Sequence, residues 1–227
     1  MSSSSALIKS SLVKKYWMAL TGLFLCLFLV THLAGNLPLL LGDSAQLSFN
    51  EYTQFMTTFI PIKIIAYVNY FSILFHAVDG LLLLSLKNKQ ARPVNYVYNK
   101  PQANSIWSSR NMGVLGTAIL VFIVIHMGNF WWKYSHSSDP MPLDPAGLPD
   151  MYSVVVNSFG DWWYVAIYVL SMAALAFHLY HGFWSAFQTL GINHPTYTPI
   201  IKKVGYAFAI VIPLAFAIIP VFVFFNS

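Results

Sequence analysis

The residues best suited to chemistry in this sequence are histidines that lie within long apolar stretches. Seven histidines are present, and five of them fall inside such stretches: His32, His76, His126, His178 and His181. An ionisable side chain at membrane depth is energetically costly, so a histidine there indicates a functional site. Haem iron accepts imidazoles as axial ligands, which is one chemistry open to these residues. The alternative is that each histidine only hydrogen-bonds a neighbouring helix.

The composition excludes an ordinary water-soluble protein. Of the 227 residues, 57% are hydrophobic and 8% are charged, against about 25% charged in an average soluble domain. Four stretches contain no charged residue at all: 16–42, 111–132, 162–201 and 204–227. Each is at least as long as the roughly 20 residues that a membrane-spanning helix needs. A fifth apolar segment, 62–86, contains only two charged residues, Lys63 and Asp79.

The sequence therefore predicts an all-α integral membrane protein with five transmembrane helices packed as a bundle. Continuous apolar runs favour helices over barrel strands, which would alternate in segments of about ten residues. We expect a single transmembrane domain over residues 1–227. Its predicted spans lie near 16–40, 62–86, 111–134, 162–190 and 204–225. Because Cys26 is the only cysteine, neither an internal disulfide nor covalent haem attachment through Cys-x-x-Cys-His is possible.

The basic residues between the spans predict the orientation of the chain. Ten of the twelve Lys and Arg residues lie in the N-terminal tail, in segment 87–110 and at Lys202–Lys203. Positively charged connections stay in the cytoplasm, so we expect a cytoplasmic N-terminus and an outside C-terminus. Such a basic face can meet anionic lipid headgroups or an acidic partner. The net charge of +5 needs no nucleic acid to explain it.

This orientation places four histidines at two depths. His32 and His126 lie past the midpoints of outward-running spans, whereas His76 and His178 lie past the midpoints of inward-running ones. At about 1.5 Å per residue, the two levels differ by roughly 7–13 Å. Two such pairs suit two stacked b haems, each with one imidazole on either side of its iron. A tetrahedral metal site would need its ligands at one depth. Spacing alone does not choose between His178 and His181, which are one turn apart.

Short motifs around these histidines carry a resemblance to a known family. They are Leu20–Asn36 (LTGLFLCLFLVTHLAGN), Phe75–Gly80 (FHAVDG), the lone His126 and His178–Gly191 (HLYHGFWSAFQTLG). The chain resembles the five-helix dihaem cytochrome b membrane anchor of bacterial succinate dehydrogenase and fumarate reductase across essentially all five spans. The most specific pieces are His-Ala-x-x-Gly at His76 and His-x-x-x-Gly-x-Trp at His178. This match gives the ligand position to His178, with His181 as its neighbour.

The resemblance implies a set of cofactors and partners. His32 and His126 would be the axial ligands of an outer, distal haem b, and His76 and His178 those of an inner, proximal one. A flavoprotein subunit would hold FAD and the dicarboxylate site, and an iron–sulfur subunit would dock on the cytoplasmic face. This chain would then carry no catalytic residue for the dicarboxylate. It would relay electrons to a quinone, menaquinone by family analogy, in the bacterial cytoplasmic membrane.

For several polar residues the sequence and the resemblance indicate a role less specifically. Glu51 is the candidate for the quinone site, because family members bind quinone near the outer end of the first two helices; otherwise it is a solvated loop carboxylate. Arg110 is a candidate partner for haem propionates or a basic anchor at the membrane surface. Asp79 and His181 are candidates for contacts with the inner haem or with its ligands. For Asp79 we favour a structural role. Ala176 stands where some relatives carry a glutamate proposed to conduct protons.

Three alternative functions remain open at this point. A stand-alone cytochrome b reductase would contain the same haems but no partner subunits. A transporter with a histidine relay and no haem would need a continuous polar path and broken helices. A plain anchor would use the histidines for packing alone.

Overall fold

The structure, a computed structural model, describes residues 11–82, 100–136 and 140–226. The end of the predicted span 62–86, Lys9 of the N-terminal tail and most of segment 87–110 lie outside the described residues. The helices in chain order are α1 (Ser11–Asn36), α2 (Gln46–Thr58), α3 (Ile60–Leu82), α4 (Pro101–Asn104), α5 (Trp107–Arg110), α6 (Met112–Met127), α7 (Lys133–His136), α8 (Met151–Phe159), α9 (Trp162–Thr189) and α10 (Tyr197–Asn226).

Five helical segments are long and apolar enough to cross a membrane. The first, Leu12–Thr58, contains α1 and α2; the second is α3; in the third, Met112–His136, a π-helical turn at Gly128–Trp132 joins α6 to α7; the last two are α9 and α10. Each overlaps one of the five predicted spans. Within the described ranges no strand forms, apart from one isolated bridge between Leu143 and Pro149. The predicted all-α membrane fold is thus confirmed at the level of helix type and number. The sidedness of the chain stays a prediction.

The α-helix of the first span ends earlier than the sequence suggested. α1 stops at Asn36 rather than near residue 40, because Pro38 has no N–H and disfavours helical geometry at the residue before it. A 3-10 segment, Leu37–Ala45, follows, and Gly42 within it has a φ of 65°. Glycine adopts this left-handed geometry without steric cost. The chain can therefore turn sharply and continue as α2, a helix where we had expected a loop.

Four of the long helices form a square when the bundle is viewed along its axis. Around the square, α1 packs on α3, α3 on α6, α6 on α9, and α9 on α1. α10 lies outside the square, against α9 and α1. It continues through Pro213 and Pro220, both of which are buried against the bundle. The two diagonals of the square, α1 with α6 and α3 with α9, face each other across the interior.

One end of the bundle is covered by short helices, and we call it the capped end. It comprises segment 37–58 with α2 and segment 140–161 with α8, which pack on each other. Most of the buried apolar core lies beneath this cover, in the cluster Leu33, Leu39, Phe49, Phe130, Met151, Tyr152, Val155, Phe159, Tyr164, Val165, Tyr168, Ile212, Ile219 and Val223. The opposite end, the open end, has a smaller cluster of Cys26, Leu179 and Ala209.

A buried amide holds the cover together. The Asn50 side chain is 1% exposed, and its Nδ2 donates to Oδ2 of Asp144 at 3.0 Å and to Oδ1 of Asp150 at 2.9 Å. Its Oδ1 accepts from the backbone N–H of Tyr152 at 2.9 Å. Asp144 also accepts from the backbone N–H groups of residues 146 and 148. This Asn50 cluster ties α2 to a segment about 100 residues further along the chain.

The same hydrogen bonds favour the charged carboxylates of this cluster. The hydrogen bond from Asn50 is the main reason that the pKa of Asp144 lies below its ordinary value. Burial alone would raise the pKa of Asp150, but hydrogen bonds from Ser153, Asn50 and Gln46 together lower it. Hydrogen bonds to an ionised carboxylate stabilise that form. Both aspartates are therefore anionic at neutral pH.

Candidate haem-binding site

The four candidate ligands lie in two ring-to-ring pairs across the diagonals of the helix square. His32 of α1 faces His126 of α6, with ring centroids 5.8 Å apart and ring planes at 86°. His76 of α3 faces His178 of α9, with centroids 6.1 Å apart and planes at 66°. We call these the capped-end pair and the open-end pair. Diagonal helices are the ones that can present side chains to a group lying in the centre of the bundle.

Both centroid distances fit a metal ion held between two imidazoles. With metal–nitrogen bonds of about 2.0 Å, two rings on opposite sides of one metal have centroids roughly 6 Å apart. Each pair offers two imidazoles, the number of axial positions that a haem iron can take from protein. Among the described residues, no group of three or more His, Cys, Asp or Glu side chains is placed to hold a metal. The residues present fit two axially ligated haems.

The distance between the two pairs can be measured along two helices. On α1, the open-end pair lies level with Thr21 and Gly22, which contact His76, ten or eleven residues before His32. On α6, Gly116 lies against His178, ten residues before His126. At 1.5 Å per residue, each helix gives a separation of about 15 Å between the two levels.

This separation is larger than the roughly 7–13 Å expected from sequence, again at 1.5 Å per residue. The expected value was measured from the midpoints of assumed spans. The helix α1 covers Ser11–Asn36, so its midpoint lies closer to the N-terminus than that of the assumed span. His32 is therefore further from the middle of its helix than expected. The two-level arrangement itself is present in the structure.

Aromatic rings surround the capped-end pair. His32 stacks on Phe28 with a centroid distance of 5.1 Å and also contacts Phe216 of α10. His126 contacts Phe122, Phe130 and Tyr168. Nδ1 of His126 and the hydroxyl of Tyr168 are hydrogen-bonded at 2.9 Å. A metal-bound histidine commonly has its second ring nitrogen fixed by a hydrogen bond of this kind, so Nε2 of His126 is the nitrogen left for a metal.

Small residues surround the open-end pair. A Cβ at Gly22 would lie 3.2 Å from Cε1 of His76, and one at Gly116 would lie 3.7 Å from Cε1 of His178. Nδ1 of His76 is 3.3 Å from the hydroxyl of Thr21. Nδ1 of His178 is buried and finds no hydrogen-bond partner in the described part of the chain. A buried ring nitrogen of this kind calls for a ligand, a water or a metal.

The other predicted site residues lie around these pairs without joining them. The ring that contacts His76 is that of His178, while His181 lies one turn further along α9. Asp79 is partly buried one turn after His76 on α3. The guanidinium of Arg110 donates to the carbonyl of Ser105. Glu51 is exposed on α2, directly after the buried Asn50.

Two shallow depressions lie near the start of α6. One is lined by Gln102, Ala103, Ser105, Ile106, Trp107 and Arg110, and the other by Gly113, Val114, Thr117 and Ala118. The first adjoins Trp107, whose ring contacts Phe177, the neighbour of His178. Arg110 is therefore on the open-end side of the bundle, where we had expected it to meet haem propionates. That role stays a prediction, as do the ligand roles of the four histidines.

Sequence reasoning missed Tyr168, which contacts His126 from α9. A signal was available, since Tyr168 lies ten residues before His178 on the same helix, which is the separation between the two histidine levels. On α1 and α6, Gly22 and Gly116 likewise lie ten residues before His32 and His126. The Asn50 cluster had no comparable signal, because its members are about 100 residues apart in the chain.

Comparison of the chain with protein-family models, with curated proteins and with solved structures gave no match. The functional assignment therefore depends on the residues and on their geometry.

Proposed function

We propose that this chain is the membrane-anchor cytochrome b subunit of a succinate:quinone oxidoreductase, relaying electrons between an iron–sulfur subunit and a quinone. The observation that carries the proposal is the pair of diagonal histidine contacts, with centroids 5.8 and 6.1 Å apart at two levels of one helix square. Two haems at these levels would supply one-electron redox chemistry through the bundle. The motifs at His76 and His178 support this function over other dihaem proteins.

The residues of this chain would bind, orient and shield the two haems. His32 and His126 would hold the haem near the capped end, and His76 and His178 the haem near the open end. Tyr168 and Thr21 fix the orientation of one ligand in each pair. Gly22 and Gly116 leave room beside the imidazoles of the open-end pair. The aromatic rings around His32 and His126 exclude water, and a dry site strengthens every electrostatic interaction inside it.

The charge distribution supports an orientation for the relay. With the open end in the cytoplasm, the basic segments 87–110 and Lys202–Lys203 would receive the iron–sulfur subunit, and a flavoprotein with FAD would bind to that subunit. Electrons would pass between the open-end pair, on the side of that subunit, and the capped-end pair. Quinone, which we propose to be menaquinone, would react near the capped end, where Glu51 is exposed to exchange protons. The membrane would be the bacterial cytoplasmic membrane.

Purification of the chain from bacterial membranes tests this function. A pyridine haemochrome spectrum, with protein quantified in the same sample, should give two b haems per chain. Flavin and iron–sulfur clusters should copurify in mild detergent, and a menaquinol analogue should reduce the haems. A folded, colourless chain would overturn the proposal. Two haems without flavin or iron–sulfur subunits, even after cross-linking in the membrane, would point to a stand-alone cytochrome b reductase.

A further inference from the structure

A row of polar side chains leads from His126 towards the surface of the capped end. Nδ1 of His126 and the Tyr168 hydroxyl are 2.9 Å apart, and the Tyr168 and Tyr164 hydroxyls are 3.2 Å apart. The side chain of Asn129 is the next polar group along this row, and its Nδ2 donates to the hydroxyl of Ser158 at 2.9 Å. Ser158 is partly exposed on α8. The row thus leads from a candidate haem ligand to the cover.

Packing leaves Tyr168 little freedom to move. Its side chain is 6% exposed, as is that of Tyr164. Its ring contacts Phe122 at 4.9 Å and Phe159 at 4.9 Å, both edge-on. Buried tyrosine hydroxyls need hydrogen-bond partners, and here Tyr168 is held between His126 and Tyr164. The position of its oxygen, and so the rotation of the His126 ring, is fixed from outside the histidine pair.

We propose that Tyr168 is a positioning residue that holds His126 with Nδ1–H towards its hydroxyl and Nε2 towards His32. The inference rests on the function proposed above. A hydrogen bond accepted from Nδ1–H increases the electron donation of Nε2 to a bound iron, which favours the ferric state. The open-end pair has a weaker counterpart, because Thr21 lies 3.3 Å from His76 and Nδ1 of His178 has no partner in the described ranges. The histidine ligands of the two haems would therefore differ in how strongly they donate electrons to the iron.

The test is Tyr168→Phe, which removes the hydroxyl and keeps the buried ring. Tyr180→Phe is the matched control, because Tyr180 lies on the same helix but stacks on Tyr206, away from His126. The readouts are the midpoint potentials of the individual haems and their low-temperature EPR signals. The capped-end haem is identified as the one lost in His126→Ala. Tyr164→Phe, which removes only the second hydroxyl, serves as an additional variant.

We expect Tyr168→Phe to bind two haems, with an upward shift of the midpoint potential and an altered EPR signal for the capped-end haem alone. Tyr164→Phe should shift the potential in the same direction by less, and Tyr180→Phe should leave both haems unchanged. A capped-end haem with unaltered potential and EPR signal in Tyr168→Phe would overturn the inference, as would an equal shift in Tyr180→Phe.

The inference can also be separated from the proposed function. If the wild-type chain binds no haem, the function fails, but the orientation of His126 can still be read from its ¹⁵N chemical shifts in detergent. Wild type should then show the tautomer protonated at Nδ1, and Tyr168→Phe should redistribute the two tautomers. An identical ¹⁵N spectrum in the two proteins would overturn the positioning role.

Discussion

The imidazole rings of His32 and His126 lie 5.8 Å apart with their planes at 86°, although the residues belong to helices on opposite corners of the bundle. Two imidazoles that bind one iron with perpendicular planes leave two of its d orbitals nearly equal in energy. We therefore expect the oxidised capped-end haem to give a strongly anisotropic low-spin EPR signal. Low-temperature EPR of the purified protein checks this. A rhombic signal, typical of parallel ligand planes, would contradict the observed ring geometry.

The open-end pair should be sensitive to added volume at Gly22. A Cβ there would lie 3.2 Å from Cε1 of His76, so the branched side chain of Gly22→Val should displace the imidazole. We expect the haem content to fall from two per chain to about one, with the capped-end haem retained. Haem-to-protein stoichiometry measures the effect.

Gly116→Ala is the matched comparison for Gly22→Val. Its Cβ would have an ordinary contact of 3.7 Å with His178, and it should keep most of the haem. Equal loss in the two variants, or loss of the capped-end haem in Gly22→Val, would show that the close approach of Gly22 to His76 does not control the open-end pair.

The Asn50 cluster should contribute strongly to the stability of the capped end. Asn50→Ala removes donors from Asp144 and Asp150 and an acceptor from the N–H of Tyr152. Hydrogen bonds to charged groups each contribute about 1.5–3 kcal/mol and two are lost, so we expect the unfolding free energy to fall by at least about 3 kcal/mol. Denaturant titration in detergent measures it. Gln54→Ala, exposed on the same helix, should change stability by less than about 0.5 kcal/mol.

The same cluster should make the cover sensitive to acid. The folded pKa values of Asp144 and Asp150 lie below the ordinary value of 3.8. Their stabilising effect is therefore present above the unfolded pKa and is lost as the pH falls through the lower folded values, progressively below about pH 5. Limited proteolysis of segment 140–150 across pH should show protection that decreases in acid. In Asn50→Ala the pH dependence of this protection should be weaker. An unchanged pH profile in that variant would show that the Asn50 cluster does not cause the sensitivity to acid.

The predictable part of this molecule was the number and type of its spans and the identity of the paired histidines. Uncharged stretches of about 20 residues determine spans almost independently of context, and the fixed rise of a helix converts sequence positions into depth. The same arithmetic would have located Tyr168 near His126, had every polar residue been considered rather than the histidines alone.

The packing order of the helices was not predictable from sequence. α6 is apolar around its whole circumference, so no face of it was distinguished by pattern. Which helices stand on a diagonal follows from contacts between side chains on five helices at once. The Asn50 cluster likewise depends on residues about 100 positions apart, and the early end of α1 depends on Pro38. These features arise from tertiary packing and local backbone chemistry rather than from periodicity.

The central claim is that each diagonal pair of histidines holds one haem, and the most direct test is the haem content of paired variants. The double variant His32→Ala/His126→Ala should keep one haem per chain, and so should His76→Ala/His178→Ala. The cross-pair variant His126→Ala/His178→Ala should keep none. A folded same-pair variant without haem, or a cross-pair variant that retains one, would contradict the diagonal pairing.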